Sequence, residues 1–266
     1  MPPEGRYHRV NSEISWLVKQ FETIHYSHDE CIIDKFIPRQ DASIVFHFKG
    51  RPKLMDPVKS EMPACFVVPP RQKAGVICLD EPFETFIATC QPTVLSSVFG
   101  LDLAKAGRSH ITLTDCLFRS LWERLSECRS AEGRIACFTD FVLEMTGGEY
   151  KPDDTDFYYE TIVKRCLTTP LRQIIEDFHV SERTIQRRFR HRVGISPKTL
   201  VRLVRINYLW GLINAKGSID YQDIVFEGSY FDQTHFIKDF KDITGETPGY
   251  FFNRNLSTVK VLSGNN

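Results

Sequence analysis

Two stretches of this sequence repeat one another 51 residues apart, and that repetition leaves few folds open. Ile185-x3-Phe189 precedes Gly194-Ile195-Ser196-Pro197, and Phe236-x3-Phe240 precedes Gly245-Glu246-Thr247-Pro248. Apolar residues one turn apart bury a stripe of a helix, the glycine ends it, and Ser/Thr-Pro opens the next helix. Before the first copy, Thr169-Pro170 starts a helix carrying Leu171, Ile174, Ile175 and Phe178, and Ser181 caps the one that follows. Ser196-Pro197 opens a long helix to about Asn214, roughly 25 Å at 1.5 Å per residue. Gly217-Ser218 restarts the scheme with Ile219, Ile224 and Val225, then a turn at Gly228-Ser229-Tyr230. Short helix, tight turn, second helix is the helix-turn-helix pattern, whose second helix fits the DNA major groove. The ~25 Å connection places two such helices near one duplex turn apart.

Charge agrees with this reading. Residues 1–155 hold 18 Lys+Arg against 22 Asp+Glu, while 156–256 hold 15 against 12, so only the second half suits a polyanion. Within it, 181–205 carries eight cations (Arg183, Arg187, Arg188, Arg190, Arg192, Lys198, Arg202, Arg205) against Glu182 alone, a density that suits phosphate neutralisation. Residues 216–254 hold four cations against seven acids, so the first unit is expected to dominate affinity and the second to adjust specificity. Arg183, Gln186, Arg187 and Arg190, at spacings of three and four, share one helix face opposite Ile185 and Phe189. Arg187 suits a bidentate fork to guanine and Gln186 a pair with adenine.

About 100 residues, 156–255, resemble the AraC/XylS family of transcription regulators. The likeness rests on Val180-Ser181-Glu182-Arg183-Thr184-Ile185-Gln186-Arg187-Arg188-Phe189, on Gly194-Ile195-Ser196-Pro197, on Tyr230-Phe231-Asp232-Gln233-Thr234-His235-Phe236-Ile237-Lys238-Asp239-Phe240-Lys241, and on Gly245-Glu246-Thr247-Pro248. The resemblance implies base reading by Arg183, Gln186 and Arg187 in the first unit and by Gln233, Thr234, Ile237 and Lys238 in the second. Ser181, Thr184, Arg190, Arg202, His235 and Lys241 complete the expected DNA-contacting set. It also implies a double-stranded operator, contact with RNA polymerase and a homodimer, with activation as the expected mode. Two departures stand out. Ile175 and Val225 occupy positions where the family has small alanine, and His179 and Ser229 occupy turn positions where it has glycine. Those turns favour positive φ, so strain is expected there, relieved in the second by Gly228.

The first half reads differently. Ile32–Ile37, Ser43–Phe48, Cys65–Val68, Gly75–Leu79 and Thr85–Thr89 are β-branched or aromatic runs between turn residues, the pattern of an antiparallel sandwich or barrel. Leu113, Leu117, Leu121 and Leu125, then Ile135, Phe138, Val142 and Met145, give two helices. The leucine stripe is either a dimer seam or a helix packed on its own barrel. Order and length resemble the family's partner domain: a cupin-like β-barrel followed by helices, with a small effector inside. The expected fold is therefore α+β, a cupin-like effector and dimerisation domain over 1–155 and an all-α double helix-turn-helix domain over 156–266. Gly147–Asp156 reads as an acidic linker between them.

The remaining residues argue mainly by exclusion. Eight cysteines form no C-x-x-C pair and sit in apolar surroundings, the mark of buried reduced thiols. His25, His28 and His47 raise a metal-dependent cupin enzyme, but the paired histidines and carboxylate of that class are missing, so no metal or cofactor is expected. Tyr26, Phe36, Phe46, Phe48, Phe66, Phe83 and Phe86 line a pocket or simply fill the core. An enzyme fused to the DNA-binding half would need a reactive cysteine in a Pro-Cys-His context, which does not occur. A barrel sensing a protein partner stays open. With no signal core and no long apolar run, a cytoplasmic, non-membrane, non-enzymatic regulator is expected.

Overall fold

A computed structural model describes residues 1–28, 30–55, 59–106, 109–216 and 226–264. The N-terminal half is built from two antiparallel sheets. The larger runs in the order β1 (Glu4–His8), β2 (Val18–Tyr26), β9 (Phe83–Cys90), β4 (Ala42–Lys49), β7 (Cys65–Val68), β10 (Ile111–Thr112). The smaller runs β3 (Ile32–Phe36), β8 (Gly75–Leu79), β5 (Lys53–Leu54), β6 (Ser60–Glu61). The expected barrel is therefore an open, cupin-like pair of sheets. All five expected strand segments are present; β1, β2 and the three short strands add to them.

Register explains how one sheet serves two cores. On β2, β9 and β4, Glu22, Ile87 and Val45 form one cross-strand row and Ile24, Thr85 and His47 the next on the same face. Alternate residues (Phe21, Phe86, Ala88, Ile44, Phe46) point to the other face. There they pack with helices α2 (Cys116–Glu127) and α3 (Ala131–Thr146), through Leu121, Leu125, Phe138 and Val142. The first face meets the smaller sheet in a separate core containing Ile24, Val45, Phe66, Ile77 and Phe83. Of the expected aromatic lining, Phe36, Phe66 and Phe83 line the cavity between the sheets, whereas Phe46 and Phe86 belong to the helix side. Leu121 and Leu125 are buried in this domain, Leu117 is exposed, and Leu113 precedes the helix, so the leucine stripe packs mainly on its own sheet.

Helix α1 (Pro92–Val98) follows β9 directly. After α3, Gly147 adopts the left-handed conformation at φ 65° and stops the helix. The expected linker is shorter and more ordered than its composition suggests. Asp153 forms a capping box with Asp156 and opens helix α4 (Asp154–Arg165).

The helical half follows. It comprises α5 (Leu171–Glu176), α6 (Glu182–Arg192), α7 (Pro197–Lys216), α8 (Gln233–Thr244), α9 (Pro248–Phe252) and α10 (Ser257–Leu262). Pro170 stands at the N-cap of α5, one place earlier than expected. Phe189, Trp210, Phe236 and Phe251 are fully buried at the centre of this half. The expected helix start at Gly217-Ser218, with Ile219, Ile224 and Val225, lies outside the described residues.

His179 and Ser229 both stand at φ 52°, and they are the two non-glycine residues with positive φ among those described. The expected strain is present at both turns. Gly228 does not relieve the second: the left-handed position falls on Ser229, whose hydroxyl donates to the Leu167 carbonyl. An L-residue in that region carries a penalty of roughly 1–2 kcal/mol that glycine avoids. His179→Gly should therefore raise the unfolding free energy by about 1 kcal/mol, measured by urea denaturation. Ser229→Gly should gain less, because it also loses the bond to Leu167.

Candidate nucleic-acid interface

Helix α6 separates its two faces cleanly. Ile185, Phe189 and Val193 are buried, while Arg183, Gln186, Arg187 and Arg190 are exposed. The Ser181 hydroxyl accepts from the Thr184 amide at 3.2 Å and fixes the N-terminus of the helix. Gln186 Nε2 donates to Glu182 Oε1 at 2.9 Å. All six expected first-unit residues, Ser181, Arg183, Thr184, Gln186, Arg187 and Arg190, line one open groove. Gly194, at φ 84°, closes that helix; a Cβ there would stand 2.9 Å from the Leu103 carbonyl oxygen. The first recognition helix thus ends directly against the N-terminal half.

The eight cations of 181–205 do not act alike. Arg183, Arg187, Arg190 and Lys198 are exposed. Arg188 instead pairs with Asp154 at 3.2 Å. Arg192 donates to the Thr93 carbonyl at 2.6 and 3.0 Å and pairs with Asp153 at 2.7 Å and Asp156 at 3.4 Å. Arg202 bridges Asp239 at 3.1 Å and Asp242 at 2.6 Å. Arg205 lies over the Tyr230 ring, 5.8 Å from its centroid. Charge density alone does not distinguish these roles, because pairing depends on acids distant in sequence.

In the second unit the Asp232 carboxylate accepts from the His235 amide at 2.7 Å and caps α8. Gln233, Thr234, His235, Lys238 and Lys241 are exposed; Ile237 is half-buried against the helical core. His235, Lys238 and Lys241 line a second groove together with Lys198, Arg202 and Arg205; Gln233 and Thr234 lie outside its lining, on the first turn. The acidity of this unit is partly internal. The Arg202 hydrogen bond holds the Asp242 carboxyl below the usual carboxylate range, with Lys73 and Lys238 adding to the effect. Arg202 therefore anchors α8 to α7.

The C-terminal ends of both recognition helices rest on the N-terminal half. At α8, Ala74 N donates to the Ile243 carbonyl at 2.7 Å, and Lys35 Nζ donates to the Thr244 carbonyl at 2.8 Å and pairs with Glu246 at 2.6 Å. Gln72 and Ala104 stand in the first groove, and Lys73 and Ala74 in the second. Residues so far from the repeat carry no sequence signal for this placement.

Residues 174–254 match a family model described as a helix-turn-helix domain. The chain therefore carries a helix-turn-helix domain. No curated protein matches the chain by sequence. Among solved structures, the chain's fold is similar to the apo form of a ToxT variant from Vibrio cholerae, at 16% identity and TM-score 0.51 over 92% of this chain and 99% of that one. It is also similar to Vibrio cholerae ToxT bound to an unsaturated fatty acid (16% identity, TM-score 0.49, 92% and 96% covered). A third match is the AraC-like transcriptional activator CuxR (13%, 0.28, 87% and 91%). The matched helix-turn-helix domain spans both copies of the repeat. No helix among the chain's described residues is long and apolar enough to cross a membrane.

Asp156 is buried, at 3% side-chain exposure, where its carboxylate pairs with Arg192 and accepts from the Tyr150 hydroxyl and the Asp153 amide. Removing one member of such a cluster strands a buried charge. Arg192→Ala should lower the unfolding free energy by roughly 2–4 kcal/mol, read by denaturant titration. The exposed Arg190→Ala should stay within about 0.5 kcal/mol of the unaltered chain.

Proposed function

We propose that this regulator reads a two-part duplex operator, with α6 supplying most of the base recognition, and that a small effector between its two sheets controls it. The observation that carries the first part is the convergence of Ser181, Arg183, Thr184, Gln186, Arg187 and Arg190 on one open groove. Arg187 and Gln186 offer the bidentate donors that distinguish guanine and adenine edges. On this reading Gln233, Thr234, Ile237 and Lys238 of α8 contact a second site about one duplex turn away. Arg187→Ala should lower affinity for a selected operator by roughly 1–3 kcal/mol and change random-duplex binding much less, in competition titrations with the full chain. Equal losses on both duplexes would remove Arg187 from base reading.

The second part rests on a cavity of about 120 Å³ between the sheets. That volume suits a ligand body of roughly one aromatic ring. Its walls include Ile24, Val45, Phe66, Ile77 and Phe83, with Glu22 and His47 among them. Glu22 Oε1 and His47 Nε2 are buried without a hydrogen-bond partner. The other imidazole nitrogen, Nδ1, meets Thr85 Oγ1 at 2.7 Å. Two unsatisfied polar atoms in an apolar cavity are what a polar group of an effector would engage. Leu262, Ser263 and Gly264 also line the cavity, so an occupant would touch the helical half directly. The proposal extends to a division of the chain near residue 155, and to a cytoplasmic homodimer that works with RNA polymerase.

Burial pushes Glu22 up to about 7, against a downward pull from Arg39, and pushes His47 down to about 3. The burden of the ionised Glu22 is complete above about pH 7 and vanishes below its ordinary value of 4.5, so stability falls as pH rises through that interval. Glu22→Gln should therefore stabilise the chain by up to about 3 kcal/mol at alkaline pH, the gain fading as the medium is acidified. Urea titrations across this range check the sign; a gain independent of pH would exclude ionisation as the cause.

A further inference from the structure

The loop joining β7 to β8 runs Pro69-Pro70-Arg71-Gln72-Lys73-Ala74 and belongs to the sheet half, yet it lies between the two helix-turn-helix units. Gln72 lines the groove of α6 beside Arg187, and the next residue, Lys73, lines the groove of α8 beside Lys238. The loop therefore forms a wall common to both grooves. On its lower side it packs near Gly194 and Ile195, and at its far end Ala74 is tied to the Ile243 carbonyl. Its position is thus fixed relative to the C-terminal ends of both recognition helices. Gln72 and Lys73 are themselves exposed.

A duplex entered by two recognition helices one turn apart turns its minor groove, flanked by two phosphate strands, toward whatever lies between them. Here the intervening element presents a cation. The groove beside it is basic: Lys73, Lys198, Lys238 and Lys241 line it, while its two acids are taken up by Arg202. The sheet half as a whole is acidic, with 18 cations against 22 acids over residues 1–155, so this charge is a local feature.

We infer that the 69–74 loop is a third DNA-contacting element, in which Lys73 neutralises a backbone phosphate between the sites entered by α6 and α8. This rests on the reading that those helices bind duplex DNA. The contact is made to phosphate, so it adds affinity and fixes position without reading sequence. It also makes the two grooves, with the loop between them, one continuous DNA surface to which both halves of the chain contribute.

The test uses the full chain, an operator selected from a random duplex pool and an unselected duplex of equal length, titrated over a range of salt. Lys73→Ala should weaken both complexes by about five- to tenfold at about 0.1 M salt and reduce the magnitude of the salt slope by about 1. The preference for the operator should stay the same, and Lys73→Arg should restore binding. Lys49→Ala, which alters an exposed cation lining neither groove, should leave the slope unchanged. An unchanged slope for Lys73→Ala, tighter binding on removal of the lysine, or an equal effect from Lys49→Ala would overturn the inference while leaving DNA binding by α6 and α8 intact. Absence of duplex binding by the unaltered chain would overturn both.

Discussion

The guanidinium of Arg192 is the point on which the arrangement of the two halves turns. It sits at the end of the first recognition helix and reaches the Thr93 carbonyl at the head of α1 together with the two aspartates that open α4. Three elements distant in sequence meet at one planar cation, whose fixed donors set their mutual angles. Similar fixtures lie elsewhere along the boundary: Tyr159 donates to the Gln40 carbonyl, Asn207 to the Pro38 carbonyl, and Arg254 to Asp34. The recognition helices are therefore held by the sheet half as well as by each other. A tether of a few flexible residues would not place them so.

The helical half was largely legible in the sequence because its signals are local. Caps, glycine stops and Ser/Thr-Pro pairs need only neighbouring residues, and they locate α6, α7 and α8 to within a residue or two. The positive φ at His179 and Ser229 was readable only through the family resemblance, which places glycine at both turns. The strand segments with clean runs of β-branched residues were also readable. Strand β2 was not, because both its faces are covered and Gln20, Glu22 and His25 interrupt its apolar pattern. Helix α4 was hidden by its own capping acids, which resemble a linker when their partner Arg192 is unseen.

The candidate site divides along the same line. Which face of α6 is polar follows from a helical period, so the grouping of Arg183, Gln186, Arg187 and Arg190 was accessible from spacing alone. Which cations are free to meet DNA depends on acids elsewhere in the chain, and there composition misled: Arg188, Arg192 and Arg202 are engaged within the protein. The presence of Gln72 and Lys73 beside the recognition helices depends on how the halves pack, for which the sequence carries no periodic signal.

Two of the three hydrophobic cores exchange residues across the boundary. Ile37, from the sheet half, is buried in the helical core, and Val261, from the helical half, is buried between the sheets. Ser263 and Gly264 then receive the Ile37 amide and the Arg39 guanidinium. Neither core is complete without a piece of the other, so separating the halves would expose apolar surface on both. The consequence is cooperative: the halves should lose their structure in one transition rather than two. Whatever tightens the cavity between the sheets then also raises the free energy needed to disorder the recognition helices, through shared packing and with no need for a moving part.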